Sequence, residues 1–296
     1  MNKIIGIFMV MIVLGIPIAY ADSDRDSKLE FAGTLEETLG HFWALELNLD
    51  ENNSKLALVH ATHPISELYD TMSTHLENNS NFDEKLEQTL LELKDKASTN
   101  VSREEAQTAI DEAKEIIREA RGIVVGQELS DESEFKMQLI NGLLETSKVE
   151  YNEAVVNGVI EEMAEFQDGT AFIWQSQQIF STFENELDPI DAERINEYYS
   201  QVWSDFDSRA EPTDVTNSID LIIQEFEELS GIQSIVSDHE LEYLASLAPL
   251  KQLKEGVEPN EVQCKITHSL VFKSSGQPAC VKHSSVQKLI SMGWSQ

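Results

Sequence analysis

From Thr34 to about Ser230 the apolar residues of this chain recur every three or four positions, and no stretch alternates apolar with polar as a half-buried strand would. That spacing predicts helices at roughly 34 to 48, 53 to 76 with a break or kink near Pro64, 81 to 98, 102 to 124, 133 to 156, 159 to 187, 191 to 208, 212 to 230 and 238 to 248. Thr34 with Glu37, and Ser102 with Glu105, read as capping boxes, in which a hydroxyl and a carboxylate each satisfy an orphan backbone donor. Pro189 and Pro212 fall where a first helical turn tolerates proline. Connections this short force successive helices to pack antiparallel. The expected fold class is therefore all-α, an up-and-down helical bundle or two such bundles in series. "LEET" at 35 to 38 and "LLET" at 143 to 146 each open a helix, a turn and a second helix, an offset of 108 residues that suggests an internal duplication.

The helical pattern gives way at both ends. Lys3, an apolar run from Ile4 to Ile18, and Ala19-Tyr20-Ala21 just before Asp22 have the layout of a secretory signal peptide, residues 1 to 21, cleaved after Ala21. The apolar run is shorter than the ~20 residues a spanning helix needs. The mature chain is thus expected outside the cytoplasmic membrane, secreted or in the cell envelope, with no transmembrane segment. Near the C-terminus, short strands at Leu270 to Lys273 and Ala279 to Lys282 flank a Ser-Ser-Gly-Gln turn where Gly276 can take a positive φ. Ser284 or Ser285 then caps a last helix through Met292, and Trp294 is expected to cover the hairpin. Cys264 and Cys280 lie in this segment, and in an exported chain an even pair is most simply a disulfide.

Charge sharpens the division. The chain carries 21 Lys plus Arg against 54 Asp plus Glu, a net charge of −33, which becomes −34 when Lys3 leaves with the leader. Residues 251 to 296 hold six Lys and three Glu, a balance of +3, leaving −37 on residues 22 to 250. Such a change of sign marks a boundary near 250 between an acidic helical bundle domain (22–249) and a basic C-terminal module (250–296). A field this negative repels nucleic acid and anionic lipid and attracts cations, which excludes a nucleic-acid role. Enzyme motifs are missing: there is no Gly-rich phosphate loop and no Gly-x-Ser-x-Gly elbow, and "HELEY" ends in Tyr243 where a zinc-protease helix needs a second His. With both cysteines bonded there is no thiol nucleophile either, so the expectation is a protein that is not an enzyme. Sequons at Asn52, Asn78 and Asn100 fit an exported surface.

Against that acidic background the histidines are unevenly placed, with His41, His60, His63 and His75 falling in 35 of the 296 residues. In "LALVHATHPISELY", residues 56 to 69, His60, His63 and Glu67 fall within about a 60° arc of a helix, roughly opposite the stripe of Leu58, Ala61, Ile65, Leu68, Tyr69 and Met72. They can converge on one ion, but outside the hairpin core. With a turn near residues 48 to 53, His41 of the preceding helix stands at the same height as His60. Three imidazoles and a carboxylate suit Zn, Cu or Fe rather than Ca or Mg. The candidate centre is thus one transition metal ion, iron or copper, on His41, His60, His63 and Glu67. The competing reading is a solvated polar face on which His63 caps a new helical segment that starts at Pro64. Glu46 falls on the inward stripe with Leu35, Leu39 and Phe42, a costly place for a carboxylate unless it is paired, bound to metal, or reaches water from a fraying last turn. Gln177 and Glu184 fall near the buried side of their helix.

Two resemblances add to this. "LLETSKVEYNEAVVNGVIEEMAEFQDGTAFI" (143–173) is similar to the helical extracytoplasmic segment preceding the membrane part of some members of the iron-permease family, where a helix with a Tyr and an "EAV-x-x-G" ending also turns into an acidic helix. The chain lacks that family's transmembrane helices and its Arg-Glu-x-x-Glu permeation motif, so the resemblance implies a soluble sensor, binder or accessory relative. "APLKQLKEGVEPNEVQCKITHSLVFKSSGQPACVKHSSVQKLISMGW" (248–294) resembles a small C-terminal module of exported proteins of ammonia-oxidising archaea, with His283 where a Pro is usual. It implies an exported archaeal protein and brings no activity with it. The functional expectation is an exported acidic helical protein that binds iron or copper, with the tail as a docking module for a cell-envelope protein. The alternative is a non-catalytic envelope scaffold.

Overall fold

In the computed structural model, residues 18–99, 101–231, 249–254 and parts of 257–295 are described. The chain divides into two compact units, Met1–Gly231 and Ile232–Gln296. The expected leader lies almost wholly outside the described residues, as do Asn100, the helix expected at 238 to 248, and "HELEY". Among the described residues, no helix is long and apolar enough to cross a membrane.

Among its described residues, the first unit is all-helical apart from one tiny hairpin. Its elements are α1 (Ile18–Asp50), α2 (Ser54–His63), a π-helical turn (Pro64–Leu68), α3 (Tyr69–Thr74), α4 (Ser80–Ala97), α5 (Arg103–Val124), α6 (Gln127–Asp131), α7 (Ser133–Ala154), β1 (Val155–Val156), β2 (Val159–Ile160), α8 (Met163–Ser181), α9 (Pro189–Ser208) and α10 (Pro212–Ser230). The Ser102 capping box forms in full, and Pro189 and Pro212 each sit in a first turn. The capping box expected at Thr34 does not form. α1 runs straight through it, Thr34 Oγ1 donates back to the Glu30 carbonyl, and the Glu37 carboxylate turns to Thr146 instead. Phe31, Ala32 and Leu35 are fully buried, so the apolar face is continuous across Thr34 and burial carries the helix where a local signal would start it. The kink expected at Pro64 is the π-helical turn: proline has no N–H for the fourth carbonyl back, and the helix continues by widening.

The β1–β2 hairpin interrupts the helix expected at 133 to 156 and delays the next one to Met163. Asn157 and Gly158 take φ of 52° and 70°, the paired positive values of a type I′ turn that Asn-Gly favours.

Element order repeats along the unit. α2, the short 3₁₀ turn Glu77–Asn79, α4 and α5 recur 107 to 109 residues later as α8, the 3₁₀ turn Glu184–Glu186, α9 and α10. The offset agrees with the 108 residues between "LEET" and "LLET". These two sets, headed by α1 and α7, are not strung in series: α1 packs on α7 and α8 as well as on its own α2 and α5, and one continuous apolar core runs through both. Stacked Trp43 and Trp174, ring centroids 5.0 Å apart, mark the α1–α8 seam.

In the second unit α11 (Pro249–Lys254) precedes an antiparallel hairpin of β3 (His268–Phe272) and β4 (Pro278–Lys282), with Leu270 opposite Cys280. Gly276 has φ of 79° in the turn. Cys264 and Cys280 are disulfide-bonded, with Cα atoms 5.5 Å apart. A loop of this length constrains the unfolded chain by about 3 kcal/mol. Half-buried Trp294 precedes Ser295, whose backbone exchanges two hydrogen bonds with Phe272. The helix expected to end at Met292 lies mostly outside the described residues.

Candidate metal centre

Four side chains from three helices meet where α1, α2 and α8 pack together. His41 comes from α1, His60 and His63 from one turn of α2, and Asp168 from α8. One ligand atom from each lies within 4.8 Å of all the others. His41 Nδ1 and His60 Nδ1 stand 2.8 and 3.0 Å from Asp168 Oδ1, and His63 Nδ1 stands 3.1 Å from Oδ2. His60 is fully buried, Asp168 and His41 nearly so, and only His63 keeps a partly open edge.

Glycine neighbours let the helices approach closely enough. A Cβ on Gly40, next to His41, would stand 2.9 Å from the Phe172 ring of α8. A Cβ on Gly169, next to Asp168, would stand 3.3 Å from the Ser147 carbonyl of α7, and that seam is closed by Ser147 Oγ donating to the Gly169 carbonyl.

The polarity of the cluster can be followed outward atom by atom. Asn48 Nδ2 donates to the Ala44 carbonyl, which fixes the orientation of that amide. The same Nδ2 donates to Gln167 Oε1, so Gln167 presents its oxygen to His60 Nε2, 2.8 Å away. His60 must therefore carry a proton on Nε2, and in the neutral ring its Nδ1 is a bare lone pair facing a carboxylate oxygen. Lone pair against lone pair at 3.0 Å is repulsive unless a proton or a metal cation lies between them. His41 Nδ1 and His63 Nδ1 are also buried, close to Asp168 and yet without an aligned hydrogen bond. Burial by itself would raise the Asp168 pKa; the three imidazoles, His41 foremost, outweigh it and hold the carboxyl well below the usual range. For His63 burial pulls downward, but the close approach and charge of Asp168, followed by the charges of Glu67 and Glu165, raise the ring above its ordinary value.

This donor set fits a first-row transition ion. Tetrahedral ligands about 2.0–2.1 Å from such an ion stand roughly 3.4 Å from one another, which lies between the 2.8–3.1 Å separations from Asp168 and the 4.8 Å limit on the whole set. The outer hydrogen bond from His60 to Gln167 is the kind that fixes which imidazole nitrogen ligates.

The three histidines expected from the sequence are thus brought together, but Glu67 is not among them. Its carboxylate stays at the rim, 3.8 Å from His63 Nε2 and mostly exposed. The carboxylate that stands among them is Asp168. The expectation that the site lies outside the core is likewise corrected: α8 covers the polar face of α2 and turns it into an interior. His63 makes no capping bond and continues the helix. His75 sits apart, between Ser27, Glu30 and the Phe31 ring. Glu46 neither reaches water by fraying nor joins a metal site; Lys114 and Arg103 of α5 hold it at 2.6 and 2.7 Å. The buried amide of α8 is Gln175, bonded to Glu36, whereas Gln177 is half-buried and accepts from Trp203. Asp168 had a signal of its own, since it falls on the α8 stripe of Ala171, Phe172, Gln175 and Ile179, all buried.

Among known proteins, the family model of the iron permease-associated 4-helix bundle domain matches residues 126–233, which comprise α6 to α10. This agrees with the resemblance carried by residues 143 to 173. No curated protein and no solved structure gives a match.

Proposed function

We propose, from the premise that residues 126–233 match a bundle domain associated with iron permeases, that this protein binds one transition metal ion, iron first and copper as the alternative. The ligands are His41, His60, His63 and Asp168. The observation that carries this reading is the His60 tautomer: a chain of amides ending at Gln167 leaves His60 Nδ1 bare against Asp168 in an interior that only a cation or a proton can reconcile. A metal held there would be a bound cargo. Three nitrogen donors and one carboxylate give an ion a nearly closed shell, and His60 and Asp168 are too deeply buried to admit a second reactant, which supports a binder rather than a catalyst. The leader-like N-terminus supports action outside the cytoplasmic membrane, and the disulfide-closed basic segment of residues 251–296 suits attachment to an envelope protein.

Elemental analysis of protein purified without an affinity tag tests the reading. The expected result is one equivalent of iron or copper, lost in the His60→Ala, His63→Ala double variant. Metal at background level in the natural protein, after exposure to Fe(II) and Cu(II), would overturn it.

A further inference from the structure

Of the four groups at the centre, three are shut away from solvent and one reaches it. The side chains of His41, His60 and Asp168 are at most 5 % exposed, whereas that of His63 keeps 14 %. The two ring nitrogens of His63 face different neighbours: Nδ1 stands 3.1 Å from Asp168 Oδ2 in the interior, and Nε2 stands 3.8 Å from Glu67 Oε1 at the rim. His63 Nδ1 is buried without an aligned hydrogen bond, and so is His41 Nδ1, which leaves open donors at the inner end. At the outer end, Glu67 is 59 % exposed, and among the described residues its ionic partner is His63. It rides on the π-helical turn Pro64–Leu68, which begins immediately after His63. A widened turn of this kind frequently marks a functional position.

We propose that His63 and Glu67 form the entry port of the metal centre, taking up a hydrated divalent transition ion through His63 Nε2 and the Glu67 carboxylate and passing it inward to His41, His60, His63 Nδ1 and Asp168. The proposal rests on the metal reading above and gives Glu67 a transient part, not a resident one. Stripping an ion of water before protein donors replace that water is costly, so a buried centre reached in one step fills slowly. At the port a nitrogen and an oxygen replace part of the hydration shell while the rest stays wet, and the loss of water proceeds in stages. The ion then exchanges these two donors for the inner ones. While it sits on Nε2 the neutral ring keeps its proton on Nδ1; once it lies inside, Nε2 carries that proton, which passes through solvent, and no electron moves. Because Glu67 does not touch the seated ion, it speeds entry and exit alike and leaves the equilibrium almost unaltered.

Stopped-flow mixing of the whole chain with Co(II), whose visible absorption reports the donors around it, tests this. Glu67→Gln is expected to slow association and dissociation alike by about 10-fold, with affinity held within about 3-fold and the spectrum of the bound ion unchanged. Asp70→Asn removes the same charge from a nearby exposed position in α3 and is expected to leave both rates within about 2-fold. Three results overturn the port and leave the metal centre standing: rates in Glu67→Gln that match those of Asp70→Asn; slower association with dissociation unchanged, which is a field effect on the seated ion; or a changed spectrum, which makes Glu67 a resident ligand. No Co(II) bound by the natural chain, or binding that survives in His60→Ala with His63→Ala, shows instead that the metal reading has failed, and the port with it.

Discussion

At the scale of single residues, the centre depends on which proton sits on which nitrogen. Gln167 is the side chain that decides this for His60, although it contacts the ring's Nε2 and not the Nδ1 that faces Asp168. Gln167→Leu keeps the volume and removes the acceptor. It is expected to lower Zn(II) affinity by about 10- to 100-fold, the usual cost of losing an outer-shell partner, with the helical circular dichroism unchanged. A competition titration against a chelator of known strength measures it, and an unaltered affinity would mean that the amide chain does not set the tautomer. His41, His60 and His63 were legible from spacing, because two antiparallel helices joined by a short turn bring equal offsets to equal heights. Asp168 was not, being more than a hundred residues away on a helix whose contact with α1 and α2 no local pattern reports. Its place on an apolar stripe was the available hint, the same hint that singled out Glu46, where two cations from α5 absorbed the charge.

Among the elements, the close crossing of α1 and α8 holds the centre shut. Gly40→Ala gains about 1 kcal/mol of helix propensity. It also drives a Cβ to 2.9 Å from the Phe172 ring, which in turn packs edge-on to His41 at 5.4 Å between centroids. Overpacking of this kind costs about 1–3 kcal/mol, so the net expectation is a loss of roughly 1 kcal/mol together with weaker metal binding. Chemical denaturation with and without Zn(II) separates the two effects; a stabilised variant with unchanged affinity would show that the crossing has slack. Helix positions were legible because burial on one face leaves a period that the sequence must keep. The Thr34 start was misread because a capping motif is only local, whereas buried Phe31 and Leu35 on either side of it belong to one uninterrupted face. The β1–β2 hairpin was missed although Asn157-Gly158 announces it, because two-residue strands are too short to show alternation.

For the whole molecule, the titrating groups of the centre set how stability varies with pH. Asp168, held low, contributes stability that is present above the unfolded pKa near 3.9 and is lost only in strong acid. His63, held high, contributes stability that is full below about 6.5 and is lost as pH rises through its raised value. Glu37, raised to about 7 chiefly by burial, and Glu150, raised to about 9, keep protons in the fold that the unfolded chain gives up above 4.5, so their contribution also falls as pH rises. All three raised groups point the same way between pH 5.5 and 8. The metal-free chain is expected to melt lower at pH 8 than at pH 5.5, by roughly 2–8 °C for a change of ~1–2 kcal/mol. Zn(II) should reverse the trend, because its ligands bind deprotonated. Thermal melts in chelator and in Zn(II) decide it; a metal-free midpoint that rises toward pH 8 would contradict these assignments.

The sequence by itself determined the helical class, most helix boundaries, the 108-residue recurrence, the disulfide-linked C-terminal hairpin and the grouping of three histidines, because each of these is written in local periodicity, spacing or residue type. Only the tertiary structure decided that the two helical sets share one core, that α8 roofs the polar face of α2, and that Asp168 rather than Glu67 stands among the three imidazoles. Those outcomes depend on which distant faces exclude water together, a property of the packed chain that no single segment carries.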